Sequence, residues 1–279
     1  MEIVCDFYHD FISFCKAELN SFGYSTDGKN EEDVDRMFWM VFYRIPSMRP
    51  RKIHTAKNFF CHSELEDGLK KLEGDVECGN LLKPYLSTNV DFIADKRFYD
   101  KLLSDWNIHH FHLGTTMQSN RFVDRTGNLL FATLDDDNFY EIAIMDHRDH
   151  WTEKDLLEII NINWPELINK FVFKNISIQS NFTKDNIKKF RKKGIQSLVK
   201  LADGKVLAPL GGGYSTDGTP MDVIQKSDYM KIKLRKLKQD YERPDCKCIP
   251  ENYKTGELLK IQAEFSCQDI FNPRFKFVK

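Results

Sequence analysis

The sequence of 279 residues lacks several features that define common protein classes. It has no run of about 18 apolar residues, so no membrane-spanning helix is expected. Its first residues lack the basic start and the apolar core of a signal peptide. Its 7 cysteines are odd in number and scattered, unlike the set that staples a small secreted domain. We therefore expect a cytoplasmic protein with reduced thiols and no membrane contact.

Two stretches that resemble ligand motifs are incomplete. Cys246 and Cys248 have no second cysteine pair nearby, so a zinc knuckle is not predicted. The glycine-rich run 209–218 lacks the Lys-Ser pair of a Walker loop and the spacing of a dinucleotide fingerprint, and we interpret it as a flexible loop. The hexapeptide Gly-Tyr-Ser-Thr-Asp-Gly occurs at 23–28 and again at 213–218. Because nothing beside it repeats, we interpret the two copies as turns.

Composition supplies a core and an uneven charge. Hydrophobic residues make up 41% of the chain, including 22 Phe and 10 Tyr. Residues 1–165 hold 18 Lys and Arg against 29 Asp and Glu, whereas residues 166–279 hold 23 against 13. This asymmetry indicates two kinds of module, the basic one facing nucleic acid or an acidic partner. The two halves could equally attract each other.

Helical patterns dominate the first part of the chain. Apolar residues recur every three or four positions over 4–22, where Gly23 is a suitable C-cap, and a second helix is predicted over 31–43. Residues 44–52 form a basic, proline-containing connector that could contact phosphates or remain a solvated linker. Ser63 begins a capping box that predicts a short helix to about residue 72. A further helix is predicted over 95–106.

The last part of the chain is basic. Short strands are predicted at 172–178 and 206–208, a basic amphipathic helix over 227–242, and an edge strand or ordered arm over 271–279. A helix that begins at Thr183 has five cations on its exposed side. These candidate nucleic-acid-binding residues are Lys188, Lys189, Arg191, Lys192 and Lys193.

The centre of the chain has the pattern of three β-strands. Residues 108–114 predict the first strand. Residues 128–134 and 139–145 predict a hairpin joined by Asp135-Asp136-Asp137-Asn138, because Asp and Asn favour turns. Thr152 has the position of a helix N-cap before an apolar periodic segment, so a helix is predicted to follow.

Five of the eight histidines lie in this central segment. Alternate residues of a strand share a face, so His110 and His112 are predicted on one face and His109 on the other. We interpret His109 as a hydrogen-bonded core residue. His147 and His150 follow the hairpin, where a strand passes into a helix, which is a common position for functional side chains.

The first interpretation of this cluster is metal-free cleavage of RNA. That reaction needs a base for the ribose 2′-hydroxyl, an acid for the leaving oxygen and a cation for the charge on phosphate. Imidazoles titrate near neutral pH, and arginine offers phosphate a fork of donors. The candidate catalytic residues are His110, His112, Arg125, His147, Arg148 and His150.

Two other interpretations stay open. The histidines, together with Asp124, Asp146 or Asp149, could hold zinc or another divalent ion in a metal-dependent hydrolase. Their spacing matches no specific metal motif, so no metal ligand is assigned and no cofactor is expected. Alternatively the histidines are structural, and the basic helices bind nucleic acid or an acidic protein without catalysis.

The order of these central elements resembles the RelE/ParE-like toxin fold. Ile108–Gly114 is similar to its Tyr-Arg-x-Arg-x-Gly strand, Arg125–Phe131 to its strand with a preceding arginine, and Ile142–Trp151 to its closing strand followed by His-Arg and an aromatic residue. The similarity covers roughly residues 95–152. Many members cleave messenger RNA without metal, and some act on gyrase. The resemblance implies that Arg125 and Arg148 bind phosphate, that the histidines move protons, and that an antitoxin is a partner.

Together these patterns predict an α+β protein whose antiparallel β-sheet core is flanked by helices. The predicted parts are a helical N-terminal part (1–94), a histidine-rich, RelE-like α+β module (95–165) and a basic α+β C-terminal module (166–279). The predicted function is a metal-independent endoribonuclease of bacterial toxin or phage-defence type. RNA or another nucleic acid is the expected partner.

Overall fold

The computed structural model describes residues 2–146, 153–176, 198–243 and 258–278. Both helices and strands occur among these residues, which confirms the α+β class. The α-helices are α1 (Phe7–Ser21), α2 (Glu31–Arg44), α3 (Glu66–Cys78), α4 (Lys101–Trp106), α5 (Glu153–Asn163), α6 (Pro165–Asn169) and α7 (Met221–Tyr241). The strands are β1 (Glu2–Cys5), β2 (Lys52–Thr55), β3 (His109–His112), β4 (Asn128–Leu134), β5 (Asn138–Asp146), β6 (Val199–Lys200), β7 (Val206–Leu207), β8 (Leu258–Glu264) and β9 (Arg274–Val278).

The chain forms two compact units, whose bounds differ from the three predicted parts. One unit comprises residues 1–41 and 223–279, and the other comprises residues 42–222. The first unit joins the two ends of the chain because β1 pairs in parallel with β8. Such a pairing between distant segments has no local signal in the sequence. The part predicted over 166–279 is thus divided between the two units.

The first unit is built on a three-stranded sheet in the order β1-β8-β9. Asp6 caps α1 by accepting a hydrogen bond from the His9 amide at 3.1 Å, and Gly23 follows the helix with a φ of 84°. The predicted helix over 4–22 therefore begins later than expected, since its first residues belong to β1 and the cap. Phe7 of α1 packs against the rings of Tyr241 and Phe275. The tail forms β9 at the edge of this sheet, as predicted.

The second unit contains a four-stranded sheet in the order β2-β5-β4-β3. The predicted hairpin is confirmed, because β4 and β5 pair antiparallel and the Asp135 amide donates to the Asn138 carbonyl at 3.0 Å. β3 adds to β4 in antiparallel register. The sheet is nevertheless mixed, because β2 pairs in parallel with β5. Helices α5 and α6 cover one face through a buried cluster that includes Phe131, Tyr140 and Ile160.

The basic connector has a structural role at its end. Arg51 is buried, and its guanidinium donates to the carbonyl oxygens of Asp135, Ser47 and Arg49 and to the Ser47 hydroxyl. Arg49 forms ion pairs with the Asp136 and Asp137 carboxylates at 3.0 and 3.3 Å. The connector therefore fixes the hairpin turn to the start of β2.

The glycine-rich run is hydrogen-bonded to the last turn of α4. The Gly211 and Gly213 amides donate to the carbonyls of Asp105 and Ser104, both at 2.9 Å. A Cβ at Gly211 would overlap the carbonyl oxygens of Leu103 and Ser104, which explains why glycine is needed there. These two amides are used within the protein, so they do not form a phosphate cradle.

The repeated hexapeptide forms a turn in both places, as predicted. Its first glycine has a φ of 84° at Gly23 and 81° at Gly213, and its last has 67° at Gly28 and 86° at Gly218. In each copy the serine hydroxyl donates to the aspartate carboxylate two residues later. The repeat is therefore a local turn sequence used twice.

Other predicted elements are altered or lie partly outside the described residues. The helix predicted over 95–106 is a 3₁₀ turn at Lys96–Phe98 followed by α4, and the short helix after Ser63 extends to Cys78 as α3. Val172 forms a single bridge to Leu207 instead of a strand. Residues 177–197, which include the helix predicted from Thr183, lie outside the described residues.

Candidate functional site

Three of the six predicted catalytic residues lie in the described part of the chain, on or near the sheet of the second unit. His110 and His112 are on β3, and Arg125 is in the loop between β3 and β4. The other three, His147, Arg148 and His150, lie outside the described residues. The same holds for the five cations predicted to bind nucleic acid, namely Lys188, Lys189, Arg191, Lys192 and Lys193.

His109 is a core residue, as predicted. Its side chain is buried and its ring stacks on Phe111 with centroids 5.8 Å apart. Burial lowers the pKa of His109 to about 4, because the protonated ring would lose its hydration. The ring is therefore neutral at pH 7, which suits a structural residue.

His112 is held in the connection between β3 and β4. It is buried, and its Nδ1 accepts a hydrogen bond from the Thr126 amide at 3.2 Å. The Thr126 hydroxyl accepts from the Leu113 amide and donates to the Asn128 carbonyl at 2.6 Å. Because Nδ1 is an acceptor, the neutral ring carries its proton on Nε2. These bonds give His112 a role in joining the two strands.

His110 is partly exposed and faces a carboxylate. Its Nδ1 lies 3.3 Å from Asp100 Oδ2, and the two side chains are 21% and 19% exposed. The other carboxylate oxygen of Asp100 accepts from the Leu103 amide at 3.1 Å and so caps α4. A carboxylate fixed in this way orients the imidazole, favouring the tautomer with the Nδ1 proton toward Asp100 and the lone pair on Nε2.

Asp100 was missed by the sequence analysis. Its signal was present, because an aspartate directly before Lys101-Leu102-Leu103 is a typical N-cap. The prediction of one helix over 95–106 concealed this cap. What the sequence could not indicate is that the second oxygen of the cap reaches a histidine on the neighbouring strand.

Two guanidinium groups donate to backbone carbonyls of the segment 86–89. Arg125 Nη1 donates to the Leu86 carbonyl at 2.9 Å, and Arg44 Nη1 donates to the Asn89 carbonyl at 3.3 Å. Burial lowers the pKa of Arg125 from its ordinary value. A cavity of about 20 Å³ is lined by Arg44, Leu86, Asp100 and His110, among other residues. It has the size of one water molecule.

The loop that carries Arg125 is fixed by its own hydrogen bonds. The Asp124 amide donates to the Thr116 carbonyl, and the Thr116 amide donates to Asp124 Oδ1, both at 2.8 Å. Gly114 lies so close to Asp124 that a Cβ would overlap the Asp124 carbonyl oxygen. These contacts give Arg125 a defined position although the loop is long.

The arrangement has the groups needed to transfer a proton and to bind an anionic substrate. It provides an oriented imidazole, a carboxylate behind it and a cation within the same unit. Among the residues described, no group of three or more His, Cys, Asp or Glu side chains is arranged to hold a metal ion. No helix in the described ranges has both the length and the apolar character to cross a bilayer.

Comparisons with known proteins leave the site to be interpreted from its own chemistry. No family model, no curated protein and no solved structure matches this chain. The resemblance to RelE/ParE-like toxins thus stays a prediction that rests on the residues quoted for it.

Proposed function

We propose that the protein is an endoribonuclease that cleaves RNA without a metal ion. The observation that carries this proposal is the contact of 3.3 Å between His110 Nδ1 and Asp100 Oδ2 at a partly exposed position of the sheet. Cleavage begins when a base takes the proton of the ribose 2′-hydroxyl, whose oxygen then attacks phosphorus. His110 Nε2 is that base, and Asp100 stabilises the imidazolium that forms.

Arg125 supplies positive charge for the phosphate. Its guanidinium is anchored through Nη1 on Leu86, a residue that also lines the small cavity beside His110. The remaining donors of the guanidinium fork can bind phosphate oxygens as negative charge builds up. Arg44, which lines the same cavity, adds to this positive field.

The leaving 5′-oxygen needs a proton from a second group. In sequence, His147 directly follows Asp146, the last residue of β5, and we assign it as this acid. The products are a 2′,3′-cyclic phosphate and a 5′-hydroxyl, with the bond between phosphorus and the 5′-oxygen broken. His112 has no place in these steps, since its ring is buried and its Nδ1 accepts from the backbone.

The test is cleavage of a DNA oligonucleotide that contains a single ribose, with a chelator present. We expect cleavage only at the ribose, with a cyclic phosphate on the product. His110→Gln should lower the rate by roughly 10²–10⁴-fold, the usual contribution of general acid–base catalysis. The matched control is His9→Gln, because His9 also pairs with a carboxylate at 3.3 Å, that of Glu31, but lies exposed in the other unit.

Three outcomes would contradict the proposal. They are cleavage that needs a divalent ion, cleavage that continues without the 2′-hydroxyl, and equal activity of the two histidine variants. Thermal unfolding of both variants checks that any lost activity does not reflect lost structure.

A second candidate function is nucleic-acid binding through α7 in the first unit. This helix exposes Tyr229 and Ile232, 54% and 63% accessible, beside the exposed cations Arg235 and Lys236. Cations with an exposed aromatic ring suit a single-stranded nucleic acid. Binding that weakens in Arg235→Gln, while His110→Gln leaves both binding and any cellular effect unchanged, would favour this function over catalysis.

A further inference from the structure

A larger cavity lies on the same sheet, at the end that carries the turn between β4 and β5. It has a volume of about 180 Å³ and is lined by residues of the hairpin, α5, α6 and the segments that follow α4 and α6. We propose that this cavity binds a pyrimidine base of the RNA, an inference that rests on the proposed ribonuclease function.

The cavity and His110 lie on the same face of the sheet. His110 is paired with Phe131 across β3 and β4, and directly opposed residues share a face. Phe131 belongs to the same buried cluster as Tyr140, whose ring lines the cavity. Asn107, at the cavity edge, precedes His110 by three residues, a span of about 10 Å at most. A base in the cavity would thus lie within reach of a ribose held at His110.

The size and walls of the cavity suit a single planar ring. Its volume equals that of about six water molecules, which is small for a whole nucleotide. Stacking and apolar contact favour the π-face of a base. The apolar wall consists of Leu134, Tyr140, Ile160, Leu167, Phe171 and Leu210.

Asn107 provides a polar edge for recognition. Its Nδ2 donates to the Thr133 hydroxyl at 3.5 Å, a long bond that is readily exchanged, while that hydroxyl donates to the Asn107 carbonyl at 2.8 Å. The carboxamide offers both a donor and an acceptor. This pair matches the adjacent acceptor and donor on the edge of uracil or cytosine.

Lys170 provides positive charge at the cavity edge. Its Nζ lies 5.1 Å from the centroid of the Phe171 ring. The side chain is exposed, so the ammonium can meet a phosphate attached to the bound nucleoside. The expected ligand unit is therefore a pyrimidine ring inside and a phosphate at Lys170.

The test measures binding of single nucleotides and does not require cleavage. Uridine, cytidine, adenosine and guanosine monophosphates are titrated calorimetrically against the full-length protein. We expect the pyrimidine nucleotides to bind at least about tenfold more tightly than the purine nucleotides, because the cavity suits one ring and a purine has two. Asn107→Gly should lower pyrimidine affinity about tenfold. Glycine is chosen because Asn107 has a φ of 54°, which glycine adopts without strain.

Three further variants separate the contribution of the base from that of the phosphate. Lys170→Gln should weaken the monophosphates several-fold and leave the nucleosides unchanged, whereas Lys174→Gln, at a nearby exposed lysine, should change neither. Leu210→Trp, which fills the cavity, should abolish pyrimidine binding. Absent binding, equal purine binding, or binding that survives both Leu210→Trp and Asn107→Gly would overturn the proposal. If the protein binds pyrimidine nucleotides but cleaves no RNA, the ribonuclease function is wrong and the base-binding cavity stands. If it cleaves RNA but binds no nucleotide, the cavity proposal is wrong and the ribonuclease function stands.

Discussion

The Thr55 hydroxyl donates a hydrogen bond of 2.9 Å to Glu141 Oε2, across the parallel pair of β2 and β5. Glu141 is 1% exposed, and no donor among the described residues reaches its Oε1. The carboxyl group of Glu73 lies beside Glu141. Burial, with Glu73 beside it, raises the pKa of Glu141 from 4.5 to about 7.

This relationship predicts a pH-dependent stability. Between pH 4.5 and about 7 the folded chain binds more protons than the unfolded chain, so the free energy of unfolding falls as the pH rises through this window. In Glu141→Gln the side chain is neutral at every pH. This variant should therefore lack the fall in the free energy of unfolding, which is on the order of 2–3 kcal/mol in the natural protein. Urea unfolding at pH 5 and pH 8 measures this change. Glu64→Gln, at an exposed position, is the control and should show the same fall in the free energy of unfolding as the natural protein. An equal fall in Glu141→Gln would refute the role of Glu141.

The packing of α3 predicts that replacing glycine by alanine lowers the free energy of unfolding at one position of the helix and raises it at another. A Cβ at Gly68 would overlap the Leu113 carbonyl oxygen, whereas a Cβ at Gly74 of the same helix meets nothing within 4 Å. Gly68→Ala should lower the free energy of unfolding by about 1–3 kcal/mol through overpacking. Gly74→Ala should raise it by about 0.5–1 kcal/mol, because alanine favours the helix. Chemical unfolding of the two variants should therefore move in opposite directions, and a shared direction would contradict the tight contact.

The basic connector predicts a difference between two arginines. Arg51→Lys removes the fork of donors from a buried network with Ser47 and Asp135 and leaves acceptors unsatisfied, at about 1–3 kcal/mol for each. Arg49→Lys retains a charge beside exposed carboxylates and should change stability by less than about 1 kcal/mol. Thermal unfolding compares the two. If Arg51→Lys weakens RNA binding and leaves stability unchanged, the connector binds phosphate and does not serve a structural role.

Local signals in the sequence predicted the elements whose structure is local. The β4–β5 hairpin, the turns of the repeated hexapeptide and the core position of His109 depend on alternation, turn residues or near neighbours. The parallel pairing of β1 with β8 depends on residues more than 250 positions apart, as shown by Glu2 opposite Leu258. No periodicity in either segment could indicate that partner.

The candidate site was predicted in the same uneven way. Strand alternation placed His110 and His112 on one face, but it could not distinguish the buried ring, bonded to the Thr126 amide, from the partly exposed ring beside Asp100. That distinction depends on which segment packs against each residue. Asp100 reaches His110 from the cap of a helix, and Arg125 is anchored on the Leu86 carbonyl. Strand alternation indicates neither contact.

The central claim is that Asp100 orients His110 for proton transfer, and Asp100→Asn tests it most directly. Asparagine caps a helix as well as aspartate does, so α4 and the free energy of unfolding should be preserved. The charge behind the imidazole is lost, and the wrong tautomer is favoured. The measurement is the single-turnover rate at the lone ribose, with thermal unfolding as the control. We predict a fall of roughly 10²-fold or more in a fully folded variant; an unchanged rate would contradict the account.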